Sequence, residues 1–390
     1  MTSNSRARAL GSVYFFAILV VSGIGRHAEA VPTAAFMGLG GPTSANGHNQ
    51  AWGISADGSS AVGWAGGSAF RWRLGTGMQF VGSGNAYGAS EDGSVIVGQT
   101  AGGAAFRWTQ STGAQLIGPL PGNSGFANRA RAVSGDGSMV AGSAKSQPNP
   151  SLDSDSFLWT AATGTQSLGD VPGGRPGPSD AFAMSLDGSV IVGQTIGPLF
   201  LEAYRWTEST GMMPLTGIPP GFMVENATAV SADGSTVVGY ARSPNTNPSW
   251  LEAYSWTETG GFVPLGDLPG GVLNSFAWAV SGDGSIIVGE GATGDSVDDK
   301  EAFIWDAAHG MRNLRELLIS DFGLDLDGWI LNAARGISAD GNTIVGYGVN
   351  PQGYQESWVA VIPEPSSAAL AVILIATQVI RRRRGTRHLK

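Results

Sequence analysis

The sequence predicts an all-β fold: a seven-bladed β-propeller of four-stranded blades, closed by pairing of its N- and C-terminal strands. Three observations predict it. First, one phrase recurs seven times, from Ile54-Ser-Ala-Asp-Gly-Ser to Ser338-Ala-Asp-Gly-Asn, and its aspartates are Asp57, Asp92, Asp136, Asp187, Asp233, Asp283 and Asp340. Second, each copy is followed by an apolar run ending in Gly, such as Val190-Ile-Val-Gly193, and an aromatic phrase ending in Trp: Trp72, Trp108, Trp159, Trp206, Trp256, Trp305 and Trp358. Third, the ends are unequal: the repeat region opens on an orphan strand-like piece, Phe36 to Gly41, and stops one strand short at Glu356 to Val361. Aspartate-to-aspartate steps of 35 to 57 residues lie in the range of solenoids, propellers and arrays. Complementary half-blades at the two ends favour a ring, because their overlap removes the sheet edges that an open array leaves exposed. Six blades, with an atypical first copy, and an open β-solenoid are the alternatives.

The fifth copy shows the elements of one blade. Ala227 to Ser231 reads as a short strand, and Asp233-Gly234 as a tight turn, since Gly accepts positive φ and the Asp side chain bonds nearby N–H groups. Ser235 to Tyr240 is a β-branched strand, Glu252 to Trp256 a third and Phe262 to Gly266 a fourth. The first and third connections are short in every copy. The second and fourth vary and hold most of the Pro, Asn and Asp. One face is therefore expected to be tight and the other irregular, and binding usually sits on variable loops carried by a rigid scaffold. In the sixth copy, apolar positions at 311, 314, 317 and 318 predict two helical turns over Met311 to Ile319, inserted before the fourth strand of that blade.

The repeat resembles the HAF-type extracellular repeat family in its Val/Ile-Ser-x-Asp-Gly-Ser step, its Val-Val-Gly run, its Ala-Phe-Arg-Trp phrase (Ala105 to Trp108, Ala302 to Trp305) and its Leu-Gly ending (Gly261 to Gly266). The resemblance spans Phe36 to Ile362. It implies an exported, repeat-built protein with no defined active site.

The two ends carry export signals. Arg6, Arg8, the apolar run Ala9 to Ile24 and the small-residue site Ala28-Glu-Ala30 form a signal peptide over residues 1–30, with signal peptidase as a partner. At the other end, residues 363–390 place Pro363, Glu364 and Pro365 before apolar Ala368 to Ile380 and the block Arg381, Arg382, Arg383 and Arg384. The apolar run covers roughly 20 Å of helix, short of a ~30 Å hydrocarbon core. This order is similar to the PEP-CTERM sorting signal, which implies an exosortase-type partner. It also implies a transient inner-membrane anchor, with the Arg block cytoplasmic, followed by transfer to the cell surface or extracellular matrix.

Composition restricts the chemistry. There is no Cys, hence neither a disulfide frame nor a thiolate metal site. Of 22 basic and 31 acidic residues, nine and two respectively lie outside residues 31–362, which leaves 13 against 29, a net −16. So acidic a repeat domain, with no basic stripe, is not a nucleic-acid binder. The seven Asp recur once per blade, too far apart for a glycosidase pair at roughly 5–10 Å, and read as turn residues; the contiguous Asp-Gly also differs from the sialidase Asp-box. His48 and His309 are the only histidines of the domain, and both fall in turns. No nucleophile elbow or phosphate-binding loop is present. Two acidic stretches, Asp295-Ser-Val-Asp-Asp299 with Glu301, and Asp321, Asp325 and Asp327, read as solvated loops, with Ca²⁺ as the lesser reading. The repeat Trp read as core, and Trp64 and Trp250, near second connections, as ordinary loop packing, with stacking on sugar rings as the lesser reading. The resulting expectation is a surface or matrix repeat protein that is structural or ligand-binding, with no cofactor and no catalysis. Extracellular polysaccharide is its candidate ligand, and a carbohydrate-active propeller enzyme, hydrolase or lyase, is the alternative.

Overall fold

A computed structural model of the chain describes residues 33–41, 48–123, 128–145, 154–174, 177–197, 201–244, 250–294, 296 and 299–363. Seven antiparallel four-stranded sheets form a propeller. The first strands of blades one to seven are Asn49–Ile54, Asn85–Ala89, Asn128–Val133, Asp180–Met184, Met223–Val230, Ser275–Val280 and Ile330–Ile337. The fifth blade follows the sequence reading closely, with strands Met223–Val230, Thr236–Arg242, Leu251–Thr257 and Gly261–Gly266. The ring closes as expected: Ala35–Gly38 is the outer strand of the last blade, pairing with Gln355–Val361 from Ala35↔Val361 to Gly38↔Trp358.

The core lies between blades. Each apolar cluster joins adjacent sheets; one contains Val190 and Val192 of blade four with Val237 and Tyr254 of blade five, and another joins Val345 and Val359 of blade seven to Ala51 and Phe70 of blade one. The apolar run after each Asp-Gly turn supplies one side of each contact, which is why that run recurs.

The repeat phrase is a self-contained turn. In every blade the first Ser donates from Oγ to Asp Oδ1, at 2.6 Å for Ser231–Asp233, and its Oγ accepts the backbone N–H five residues on. The Asp also accepts the N–H two residues on, and Gly234 follows at φ 74°. The residue between Ser and Asp links the blades, both donating and accepting in blades two to seven; in blade one Ala56 accepts and Asp57 donates. Backbone bonds run Asp57→Glu91, Glu91→Gly135, Gly135→Leu186, Leu186→Ala232, Ala232→Gly282, Gly282→Ala339 and Ala339→Ala56, at 2.7–3.0 Å. These seven bonds form a closed circuit that draws the turns together around the axis.

Two sequence expectations need correction. Met311 and Asn313 belong to the fourth strand of blade six, Gly310–Asn313, so the helix, Leu314–Ser320, follows that strand instead of preceding it. Met311 pairs with Trp305 and faces the core, while Asn313 caps the helix by accepting from the Glu316 N–H at 3.2 Å; Leu314, Leu317 and Leu318 are its buried face. The apolar pattern therefore straddled two elements. Trp358 also stands off the place of the other six Trp. It lies opposite Gly346, as Phe70 lies opposite Gly63, and Ala360 takes the place that Trp72 holds in blade one.

Among the described residues no helix is long and apolar enough to cross a membrane. The expected signal peptide with Ala28 and Ala30, and the expected anchor with Glu364, Pro365 and Arg381 to Arg384, lie outside the described residues.

Candidate functional site in the central funnel

Every first strand carries the same irregularity at the same place. Its pairing to the second strand skips one residue: Trp52, Tyr87, Arg131, Phe182, Thr228, Trp278 and Arg335 in blades one to seven. Each is three residues before the repeat Ser and is flanked by Ala or Gly on both sides, as in Ala130-Arg-Ala132 and Ala277-Trp-Ala279. A β-bulge leaves one residue unpaired and re-aims its side chain. Here the seven bulged side chains form a ring around the axis and line a pocket of about 510 Å³, together with Arg129, Asn226 and Tyr240.

The glycine of the Val-Val-Gly run serves this bulge. A Cβ on Gly63, Gly98, Gly142, Gly193, Gly239, Gly289 or Gly346 would lie 1.9–2.0 Å from the carbonyl oxygen two residues before the bulged one. The backbones approach so closely that no side chain fits. The repeat thus conserves the frame, Ala-x-Ala/Gly with an opposing Gly, while x is free to vary in chemistry.

The pocket opens on the variable-loop face. Arg129 and Asn226 precede the bulges in their strands, and Tyr240 lies opposite Asn226; all three lie away from the Asp-Gly turns. Aromatic rings form its walls. Trp52 stacks on Tyr87 with centroids 5.3 Å apart, and Phe276 on Trp278 at 5.8 Å and 5°, with Tyr240 edge-on to both. The arginines lie over ring faces: Arg335 over Trp278 at 3.8 Å, Arg131 over Phe182 at 4.8 Å and over Tyr87 at 5.5 Å, and Arg129 over Tyr87 at 5.9 Å. Burial lowers the pKa of both Arg131 and Arg335, and raises that of the Tyr240 hydroxyl, with Glu225 adding to the last. Two buried donors, Arg131 Nε and Trp278 Nε1, have no partner. A buried unpaired donor costs about 1–3 kcal/mol, so each marks a place where a ligand oxygen is favoured.

The residues singled out from sequence lie elsewhere. The seven Asp are exposed on the opposite, tight face, one per blade, and bonded into their own turns. Of the Trp, Trp72, Trp108, Trp256 and Trp358 are buried, while Trp159, Trp206 and Trp305 are half-buried. The aromatics opposite the Val-Val-Gly glycine, Phe70, Phe106, Phe157, Tyr204, Tyr254 and Phe303, are the more uniformly buried set. Trp64 is half-buried on a second strand, opposite Gln50, and Trp250 is half-buried beside the blade-five loop. His48 is exposed, and His309 is bonded through Nδ1 to Asp306 at 2.8 Å. Asp321, Asp325 and Asp327 are exposed, Asp295 and Asp298 lie outside the described residues, and among the described residues no three metal-ligating side chains converge. Sequence reasoning misses the ring because its seven positions carry different residues, while the recurring letters belong to the turns and the core. The usable signal was the single non-recurring position inside a fixed small-x-small frame.

No protein-family model and no curated protein matches the chain. Solved structures do. An oligogalacturonate lyase from Vibrio parahaemolyticus is 12% identical, with a TM-score of 0.56, 85% of this chain covered and 98% of that one. An oligogalacturonate lyase in complex with manganese is 13% identical, with a TM-score of 0.54, covering 85% and 97%. A putative TolB from Agrobacterium tumefaciens is 17% identical, with a TM-score of 0.45, covering 73% and 94%. The first two matches support the propeller over nearly their full lengths. They also overturn the expectation of no catalysis, since enzymes are built on this architecture. That expectation rested on contiguous motifs, whereas a funnel site takes one residue from each blade and leaves no contiguous motif. The manganese of the second structure does not fit here: the funnel is lined by three guanidinium groups and offers neither carboxylate nor imidazole.

Proposed function

We propose that this chain is a carbohydrate-active propeller enzyme acting on polysaccharide, with the central funnel as its active site. The observation that carries the reading is the ring of seven bulged side chains, a concave pocket of stacked aromatics with convergent polar groups on a rigid scaffold. Sugar rings present apolar faces to Trp52 and Tyr87, and hydroxyl or carboxylate edges to the arginines. The likeness to two lyases of the same architecture is in keeping with this reading.

The lining selects among reactions. Hydrolysis by the usual pair of carboxylates finds no pair in the funnel. Elimination from a uronate needs different parts: a cation at the carboxylate, a group that removes the C5 proton and a donor to the departing C4 oxygen. As C5–H breaks, its electrons form the C4=C5 double bond and the C4–O bond cleaves. Arg131, with Arg129 beside it, supplies the cation. The C5 proton passes to solvent water in the open funnel, and Tyr240, held protonated by burial, is the candidate donor to the departing C4 oxygen.

The test is incubation of the purified chain with uronate-containing and neutral polysaccharides, following the ultraviolet absorbance of the unsaturated product. Product from a uronate polymer, abolished in Arg131→Gln, strongly reduced in Tyr240→Phe and retained in His309→Ala, is the expected result. No product from any glycan would overturn the reading.

We further propose, from the two end segments, that the chain is exported and processed near Pro363 for delivery to the cell surface or matrix. Mass spectrometry of the C-terminal peptide tests this. An intact Lys390 terminus on surface-located protein would contradict it.

A further inference from the structure

We infer that the funnel is a two-pole receptor for an acidic disaccharide unit, with one carboxylate seated at Arg131 and the carboxylate of the neighbouring sugar at Arg335. This rests on the carbohydrate reading above and adds what the ligand must carry.

The poles follow from the blade count. Arg131 is in blade three and Arg335 in blade seven, three blade steps apart one way round the ring and four the other, so they face each other across the axis. One arc between them holds Trp52 and Tyr87. The other holds Phe182, Thr228 and Trp278, where Thr228 is the only small side chain and spends its hydroxyl on the Ala277 carbonyl at 2.7 Å. The walls between the poles are therefore mainly apolar, suited to sugar faces.

Each guanidinium is presented for an oxyanion. Its Cζ lies over an aromatic face, 4.8 Å from the Phe182 centroid for Arg131 and 3.8 Å from the Trp278 centroid for Arg335, and a π face accepts no more than part of the N–H capacity of a guanidinium. Among the described residues no ion pair forms with Arg131 or Arg335. Asp180 near Arg131 and Glu290 near Arg335 favour the charged guanidinium but do not line the pocket. Arg131 Nε and Trp278 Nε1 add two unpartnered buried donors, one near each pole. The site is thus rich in donors and poor in acceptors, inside a domain of net charge −16. A planar fork of N–H donors matches a carboxylate. A neutral sugar would bury both cations without compensation.

Calorimetric titration of the purified chain with digalacturonate, its two mono-methyl esters, its dimethyl ester and galactobiose tests this. Digalacturonate should bind most tightly, each esterification should weaken binding roughly tenfold or more, and galactobiose should bind least. Arg335→Gln should make the chain indifferent to esterification of one of the two sugars, and Arg131→Gln indifferent to the other. Should one variant fail to fold, the ester series on the unaltered chain and the other variant carry the test. Galactobiose binding as tightly as digalacturonate would overturn the two-pole inference and leave the carbohydrate reading standing. Binding of digalacturonate unchanged by either variant would place the acidic site outside the funnel. No binding of any saccharide would remove both.

Discussion

Replacing Gly239 by Ala adds one methyl group and should unseat a whole bulge. Gly239 lies opposite Ala227 in blade five, next to bulged Thr228. Its φ is in the ordinary range, so Ala meets no conformational penalty; the obstacle is space. A Cβ there would stand 1.9 Å from the Asn226 carbonyl oxygen, 2.9 Å from its carbon and 2.9 Å from Tyr254 Oη. Carbonyl and tyrosine are already joined, Tyr254 Oη donating to Asn226 O at 2.8 Å in the buried core. The strands must part by more than 1 Å to restore contact, because the obstacle is backbone and cannot rotate away. Overpacking of this kind costs about 1–3 kcal/mol, and loss of the tyrosine hydrogen bond about 1 kcal/mol. The reduced freedom of the unfolded chain returns about 0.4–1 kcal/mol, leaving a net destabilisation of about 1–3.5 kcal/mol. Gly118→Ala is the control, since nothing lies within 4 Å of its Cβ position, and it should be stabilised by about 0.4–1 kcal/mol through the unfolded chain alone. Urea denaturation followed by tryptophan fluorescence measures both. A Gly239→Ala midpoint equal to wild type would show that the bulge does not depend on this glycine.

Three other outcomes are expected. Trp256→Ala should cost about 3–5 kcal/mol, because the ring is 5% exposed and its Nε1 donates to the Thr216 carbonyl at 2.7 Å; an unchanged melting temperature would show that it is not core. Removing residues 33–41 should destabilise the whole ring by taking the outer strand from the last blade, and a truncated chain that melts like the intact one would refute closure by that strand. The repeat turns should fail in acid. Hydrogen bonds hold Asp92 (chiefly from the Ser94 N–H) and Asp136, Asp187, Asp233 and Asp283 (chiefly from the preceding Ser hydroxyls) below the usual carboxylate range. A carboxylate with a depressed folded pKa stabilises above its unfolded value of about 3.9 and loses that contribution as pH falls through the folded pKa. Melting temperature should therefore drop below about pH 4, and less so in a Ser231→Ala, Ser281→Ala double variant, which has fewer such bonds to lose.

The propeller was legible because each blade repeats the same local decisions: a Ser-x-Asp-Gly turn, an apolar run ending in Gly, an aromatic strand. Even the closure could be read, from Phe36 to Gly41 standing outside any copy. The displaced helix and the misplaced Trp358 share one cause. A helical spacing at 311, 314, 317 and 318, and a Trp at the end of an aromatic phrase, are patterns of letters, whereas the ladder sets which residue faces which. Met311 is a strand residue because it pairs with Trp305, and Trp358 fills the Phe place because it pairs with Gly346. The funnel was hidden for a different reason. Its chemistry resides at one position per blade, and Trp52, Arg131 and Thr228 share only their Ala or Gly neighbours, their place three residues before the repeat Ser, and an irregularity of pairing that appears only once the sheet is formed.

The central claim is that these bulged residues receive the saccharide. A crystal structure of the chain with digalacturonate tests it most directly. The account predicts the sugar within the ring, a ring face against Trp52 or Tyr87, and carboxylate oxygens within hydrogen-bond distance of Arg131 and Arg335. A sugar bound on the outer strands or on the Asp-Gly face, with an empty funnel, would contradict it.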